Sequence, residues 1–194
     1  MSIKHDNGAG LSRIRIIGGQ WRSRLIEVAE STGLRPTPDR VRETLFNWLG
    51  QDLSGCRCLD LFAGSGALGF EAASRGAQEV VMVESAPKVL THLRQAKAAL
   101  AAHQVKVVAS DALAYLAGAH GHFDVIFLDP PYNLGWLEKL APKLDAVIGN
   151  DTRLYVESEY AVEQLCGLSS IKSGRAGQVH YQLLHPPANK DNHG

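Results

Sequence analysis

The sequence predicts an α/β fold, doubly wound around a mostly parallel sheet, with an antiparallel C-terminal hairpin and a small N-terminal β-hairpin/helix extension. Three observations carry that prediction. From about residue 55, short apolar runs alternate with helical stretches. The runs are β-branched and lack polar alternation, as strands covered on both faces do. The first run also ends in a glycine-rich turn, the usual place for a ligand loop in such folds.

Taken along the chain, residues 13–17 and 20–28 read as two strands separated by Gly18-Gly19, a two-residue hairpin signal. With those glycines as the turn, Arg15 faces Arg22 and Arg13 faces Arg24, and all four arginines share one face opposite Ile14, Ile16 and Trp21. Like charges set opposite each other repel, so this face predicts a polyanionic ligand; an ordinary solvated strand face is the alternative. A helix follows, with Thr37 as its N-cap, Pro38 in the first turn and Gly50 as its stop. Val41, Leu45, Trp48 and Leu49 form its apolar face.

The strand–helix repeat then begins. Residues 57–61 (RCLDL) form a strand and 67–75 a helix. Residues 79–84 (EVVMVE) form the second strand, and 86–102 an Ala/Leu/Lys-rich helix. Further strands fall at 105–109, 123–129 and 154–157. Residues 178–185 follow the 173–177 segment with no room for a crossover helix, which predicts an antiparallel hairpin closing the sheet edge.

Composition bounds the function. The chain has 194 residues, with 45% hydrophobic and 21% charged, so disorder, collagen and coiled coil are excluded. That length predicts one domain with a small extension. We divide the chain into an extension at 1–50, a ligand-binding α/β domain at 51–186 and a disordered tail at 187–194. No apolar run approaches the roughly 18 residues of a membrane span, and residues 1–10 lack a signal-peptide core. Cys56, Cys58 and Cys166 make neither a disulfide framework nor a zinc site, and the eight histidines form no ligand cluster. A cytoplasmic protein without a metal is expected, monomeric by default. Net charge is zero, yet residues 1–50 carry 8 basic and 5 acidic side chains, while 51–166 carry 9 and 14. An acidic core joined to a basic extension implies a division of labour.

The chemistry sits in three places. Gly64, Gly66 and Gly69 spell G-x-G-x-x-G after the first strand, and Glu84 ends the second, a pattern that also fits dinucleotide binding. Asp60, just before the glycines, repels a pyrophosphate but pairs with an ammonium. Asp111 follows the third strand, placed to accept from an adenine amine; the alternative is a helix cap. Adenine, ribose and a cationic amino acid without phosphate describe S-adenosylmethionine. Finally, Asp129-Pro130-Pro131-Tyr132 follows the fourth strand. There the Asp129 carboxylate and Pro130 carbonyl make two acceptors for a planar exocyclic amine. Tyr132 can stack on its base, worth roughly 1–3 kcal/mol.

With these residues the chain resembles the amino-methyltransferases that carry a D/N-P-P-Y/F motif, and more narrowly the RsmD family of bacterial 16S ribosomal RNA guanine-N2 methyltransferases. The resemblance runs from about Arg13 to Leu184. It rests on Arg35-Pro36-Thr37, residues 39–46, residues 60–71, Ser74-Arg75-Gly76-Ala77 and residues 129–132. It implies a Rossmann-like class I methyltransferase fold and S-adenosyl-L-methionine as cofactor. Cofactor contacts are implied at Asp60, Phe62, Ala63, Gly64, Gly66, Glu84, Ser85, Asp111 and Ala112, and catalytic roles at Asp129, Pro130 and Tyr132. The implied substrate is a guanine of 16S rRNA in the small ribosomal subunit. Candidate RNA contacts are Arg13, Arg15, Arg22, Arg24, Arg35, Arg40 and Arg42, and no obligate protein partner is expected. A DNA adenine-N6 or protein glutamine methyltransferase is the rival enzyme reading, with an NAD-dependent oxidoreductase behind it. A non-catalytic RNA-binding assembly factor is the rival from another class.

Overall fold

The computed structural model describes residues 12–28, 37–118 and 121–187. The α/β architecture is as expected. Five parallel strands form one side of an eight-stranded sheet: β3 (Arg57–Asp60), β4 (Glu79–Glu84), β5 (Val105–Ala109), β6 (Phe123–Leu128) and β7 (Ile148–Ser158). Three antiparallel strands extend it: β8 (Gln164–Leu165), β9 (Leu168–Ala176) and β10 (Val179–His185). The spatial order is β5-β4-β3-β6-β7-β10-β9-β8. The expected C-terminal hairpin is therefore present, but β10 lies inside the sheet between β7 and β9, and the edge on that side is the two-residue β8.

Helices α1 (Asp39–Leu49), α2 (Ala67–Ser74) and α3 (Pro87–Ala99) cover one face of the sheet. There Phe46, Phe70, Leu93 and Met82 pack in one cluster with Phe127 and Tyr155. Helices α4 (Ala112–Leu116) and α5 (Trp136–Leu144) cover the other face, where Leu116, Leu140 and Leu144 meet Ile126 and Leu154. In α1 the apolar face includes Phe46, and Trp48 is half-buried, stacked on Tyr181 at 5.5 Å between ring centroids.

The N-terminal strands β1 (Ser12–Arg15) and β2 (Leu25–Val28) do pair antiparallel, but in another register. Arg13 faces Glu27 and Arg15 faces Leu25, so the expected four-arginine ladder does not form. The chain reverses through a 3-10 turn at Gly19–Trp21 rather than at Gly18-Gly19. Tertiary contact overrides the local turn signal. The N–H groups of Ile17 and Gly18 each donate to the Glu71 carboxylate on α2 at 2.8 Å, and Trp21 N–H donates to Ser74 Oγ at 2.9 Å. A Cβ on Gly19 would lie 1.8 Å from the Ser74 carbonyl oxygen. These glycines serve close approach to α2, not chain reversal.

Glu71 is the hub of that junction. It is fully buried, and Arg75 Nη2 reaches one of its oxygens at 2.8 Å while Arg42 Nη1 lies 3.5 Å from the other. Arg42 also donates to the Arg15 carbonyl at 2.9 Å and the Thr37 carbonyl at 3.3 Å, and pairs with Asp39 at 2.6 Å. Arg42 is 1% exposed, which removes it from the candidate RNA contacts. Its reading as a surface residue failed because the helix face that carries it packs on Glu71. Ile14, Ile16, Trp21, Ile26 and Val28 join the core of the sheet's first face, so the described part of the extension shares that core.

Candidate active site

Parallel strands end together, and ligands in such sheets bind beyond their carboxyl ends where the strand order reverses. Here that point lies between β3 and β6, which run side by side while their following helices go to opposite faces. A cleft of about 570 Å³ opens there. Its walls are the loop after β3 (Leu61 to Ser65, with Ala67 and Leu68), the ends of β4 and β5, the segment from Asp129 to Tyr132, and Thr37 and Trp136.

The loop after β3 shows what each glycine does. Gly64 lines the cleft, and its N–H donates to Glu84 Oε2 at 3.0 Å. Gly66 is absent from the lining. It is left-handed (φ +81°), and a Cβ there would sit 2.7 Å from the Phe70 ring, so it permits packing rather than ligand contact. Asp60 lies under the loop, 2% exposed, accepting the Gly69 N–H at 3.0 Å. Burial raises its carboxyl to about 7, helped by the nearby Glu84 charge and opposed by the backbone donors Gly69 and Phe62.

Glu84 ends β4 with its other oxygen on the N–H groups of Ser85 (2.7 Å) and Ala86 (2.8 Å). Asp111 caps α4, accepting from Ala114 N–H at 2.9 Å, and it also lines the cleft beside Ala112. Cap and lining residue are thus one side chain. Phe62 meets Trp136 edge-on, 5.2 Å between centroids at 70°.

Beyond β6, Asp129 stands against a second carboxylate. The Thr37 hydroxyl lies 3.4 Å from Asp129 Oδ2 and 3.2 Å from Glu157 Oε1. Glu157 also accepts from the Tyr155 hydroxyl at 2.7 Å and from Tyr132. Burial pushes Asp129 well above the carboxylate range, with the Glu157 and Asp60 charges adding to it and Thr37 opposing. Burial likewise raises Glu157, against the hydrogen bonds from Tyr155, Thr37 and Tyr132. Tyr132 is 39% exposed at the cleft mouth, and burial and then the Asp129 charge raise its hydroxyl. Thr37 therefore does not cap α1: its side chain is turned to the acids, and Pro38 occupies the cap position without a side-chain bond.

Asp60, Glu84, Asp111 and Asp129 all line the cleft, and among the described residues no lysine or arginine does. That donor set suits a cationic ligand with hydroxyl and amine donors, and disfavours a phosphate. S-adenosylmethionine fits this chemistry. No group of His, Cys, Asp and Glu among the described residues is arranged to hold a metal, and no described helix is long and apolar enough to cross a membrane.

The arginines of the extension divide. Arg13, Arg15, Arg22, Arg24 and Arg40 are exposed, Arg13 beside Glu27 at 3.5 Å and Arg24 donating to the Ala99 carbonyl at 2.9 Å. Arg35 and most of the tail lie outside the described residues. Thr37, Glu157 and Trp136 are cleft or cleft-side residues that sequence reading missed. Glu157 was findable, because Leu154-Tyr155-Val156-Glu157 ends a parallel strand in a carboxylate just as Asp60 and Glu84 do. Trp136 Nε1 is buried and has no partner among the described residues.

Residues 14–185 match the family described as conserved hypothetical protein 95. The chain is 43% identical to ribosomal RNA small subunit methyltransferase D of Escherichia coli, over 96% of each chain. To the protein of the same name from Haemophilus influenzae it is 42% identical, over 81% of this chain and 83% of that one. The solved structure of yhhF from Escherichia coli superposes with a TM-score of 0.83 at 42% identity, covering 92% of this chain and all of that one. An RNA methyltransferase from Salinibacter ruber, solved with S-adenosyl-L-homocysteine, shares the fold at 19% identity and a TM-score of 0.63, covering 82% of this chain and 98% of the other.

Proposed function

The chain belongs to the conserved hypothetical protein 95 family, and from that membership we propose that it is an S-adenosylmethionine-dependent methyltransferase of small-subunit ribosomal RNA, acting on the exocyclic N2 amine of a guanine. The observation that carries the reading is a phosphate-averse cleft whose mouth joins Asp129, Pro130 and Tyr132. The cofactor, when bound, supplies a methyl group on a sulfonium, an electrophile.

In this reading Glu84 and Asp111 hold the ribose and adenine, and Asp60 supports the loop under the amino-acid end. The target base leaves its stack and enters beside Tyr132, whose half-exposed ring stacks on it. Asp129 and the Pro130 carbonyl accept the two N–H bonds of the amine, turning its lone pair toward the methyl group. A guanine amine is barely basic, so its proton leaves after transfer. The exposed arginines of the 1–50 extension grip phosphate while the 51–186 domain performs the chemistry, in the cytoplasm where the subunit is assembled. The charge asymmetry of the two segments favours that division.

The test is labelled-methyl transfer from S-adenosylmethionine to small subunits, naked rRNA and duplex DNA, with nucleoside analysis. N2-methylguanine in small-subunit rRNA is expected, and Asp129→Ala retains cofactor binding while losing transfer. Methyl-adenine as product, or undiminished turnover by Asp129→Ala, overturns the assignment.

A further inference from the structure

Resting on that methyl-transfer reading, we propose that Thr37 and Glu157 form a proton relay behind Asp129, carrying the proton shed by the methylated amine away from the reacting atoms. The geometry poses the problem. One hydroxyl lies within reach of two buried carboxyls, 3.4 Å from Asp129 and 3.2 Å from Glu157. A hydroxyl has one hydrogen and two lone pairs, so Thr37 donates to one carboxylate and can accept only from a carboxyl that holds a proton. Both contacts are hydrogen bonds only once the pair carries a proton, and Thr37 can then pass its own hydrogen one way as it receives another.

Charge conservation says when that proton arrives. Transfer breaks the sulfur–methyl bond, whose electrons stay on sulfur, and forms a nitrogen–methyl bond, so the positive charge moves from sulfur to the amine. The N–H bond then breaks toward Asp129, whose carboxylate gains the hydrogen. Asp129 gives it to Thr37 Oγ while the Thr37 hydrogen moves to Glu157. Asp129 ends ionised, Glu157 ends neutral, and the cleft's total charge is unchanged. Glu157 is the suitable terminus because it is 4% exposed, already holds donors from Tyr155 and Tyr132, and stands one residue behind the chemistry. Glu157 and Thr37 act through Asp129 and are positioning residues.

The titrating and charged groups around the relay are Asp60 at the end of β3, Asp129 and Tyr132 after β6, Tyr155 on β7, and Tyr181 opposite Glu157 on β10. Arg42 donates to the Thr37 carbonyl from the far side. The carboxylates hold each other's protons on, so removing one charge lets the other ionise at lower pH.

The experiment measures single-turnover methyl transfer to small subunits across pH, with carbon-13 carboxyl titration of the ligand-free protein alongside. Glu157→Gln is expected to keep cofactor affinity, to lose about 100-fold in rate, and to shift the Asp129 titration to lower pH. Thr37→Val is expected to lose rate to a similar extent and Thr37→Ser to restore most of it. Wild-type rate and profile in Glu157→Gln overturns the relay, and so does equal loss in the Val and Ser variants. Should Glu157→Gln fail to fold, the Thr37 pair decides alone. A wild-type protein that transfers no methyl to RNA overturns the reading beneath, and the relay with it.

Discussion

Two buried carboxylate sites lie on either side of Thr37, and they are built in opposite ways. Glu71 accepts two backbone N–H groups and two guanidiniums, so its charge is matched as it leaves water. Asp129 and Glu157 are also buried, yet the groups acting on them are each other, the acid Asp60 and three hydroxyls. Burying a charge is costly unless it is paired. The first site therefore holds the molecule together, while the second is left electrostatically incomplete. What completes it is a cation and an amine donor, which is what a methyl-transfer cleft receives.

The comparison breaks most visibly at the hub. Glu71→Ala leaves Arg42 and Arg75 buried without their shared anion and is expected to destabilise the protein by about 3–5 kcal/mol. Urea denaturation measures it, and a loss below about 1 kcal/mol would make the hub ornamental. Removing an acid at the other site does the reverse. Asp129→Asn relieves a buried repulsion, and at pH 8 it is expected to stabilise the fold, the urea midpoint rising.

That second effect has a defined pH course. The Asp60, Asp129 and Glu157 carboxyls hold protons in the folded state that the unfolded chain releases, because their folded values are raised. The Asp60 contribution to stability falls as pH rises from the unfolded carboxylate range near 4 toward about 7, and those of Asp129 and Glu157 fall upward from the same starting range. The gain from Asp129→Asn should then grow as pH rises above the ordinary carboxylate range and vanish below it. Urea midpoints from pH 4 to 8 read this directly, and a gain independent of pH would contradict it.

The smallest effect concerns the surface. Arg15→Ala with Arg22→Ala is expected to leave folding unchanged and to lower the salt dependence of RNA binding by about one unit of slope per lost phosphate contact. Fluorescence titrations at several salt concentrations measure the slope. An unchanged slope removes these two arginines from the interface.

The strand–helix alternation was legible because buried parallel strands cannot hide their apolar runs, and the carboxylates after β3, β4 and β6 were legible because strand ends face the cleft. What stayed hidden depends on partners distant in sequence. Gly18-Gly19 reads as a turn until Glu71 and Ser74 claim its backbone. Arg42 reads as surface until the same Glu71 buries it, and Thr37 reads as a helix cap until Asp129 and Glu157, 92 and 120 residues away, take its hydroxyl. Local pattern sees period and propensity; these outcomes were decided by contacts that neither encodes.

Thr37 belongs by sequence to the N-terminal extension and by contact to the cleft, its carbonyl held by Arg42 and its hydroxyl by the two acids. A methyltransferase unit excised at residue 51 would accordingly lose more than a handle for RNA. It would be an enzyme missing one of its own parts, with two facing acids and nothing between them. The boundary visible in the composition thus separates charge, but it does not mark a seam along which the molecule can be taken apart.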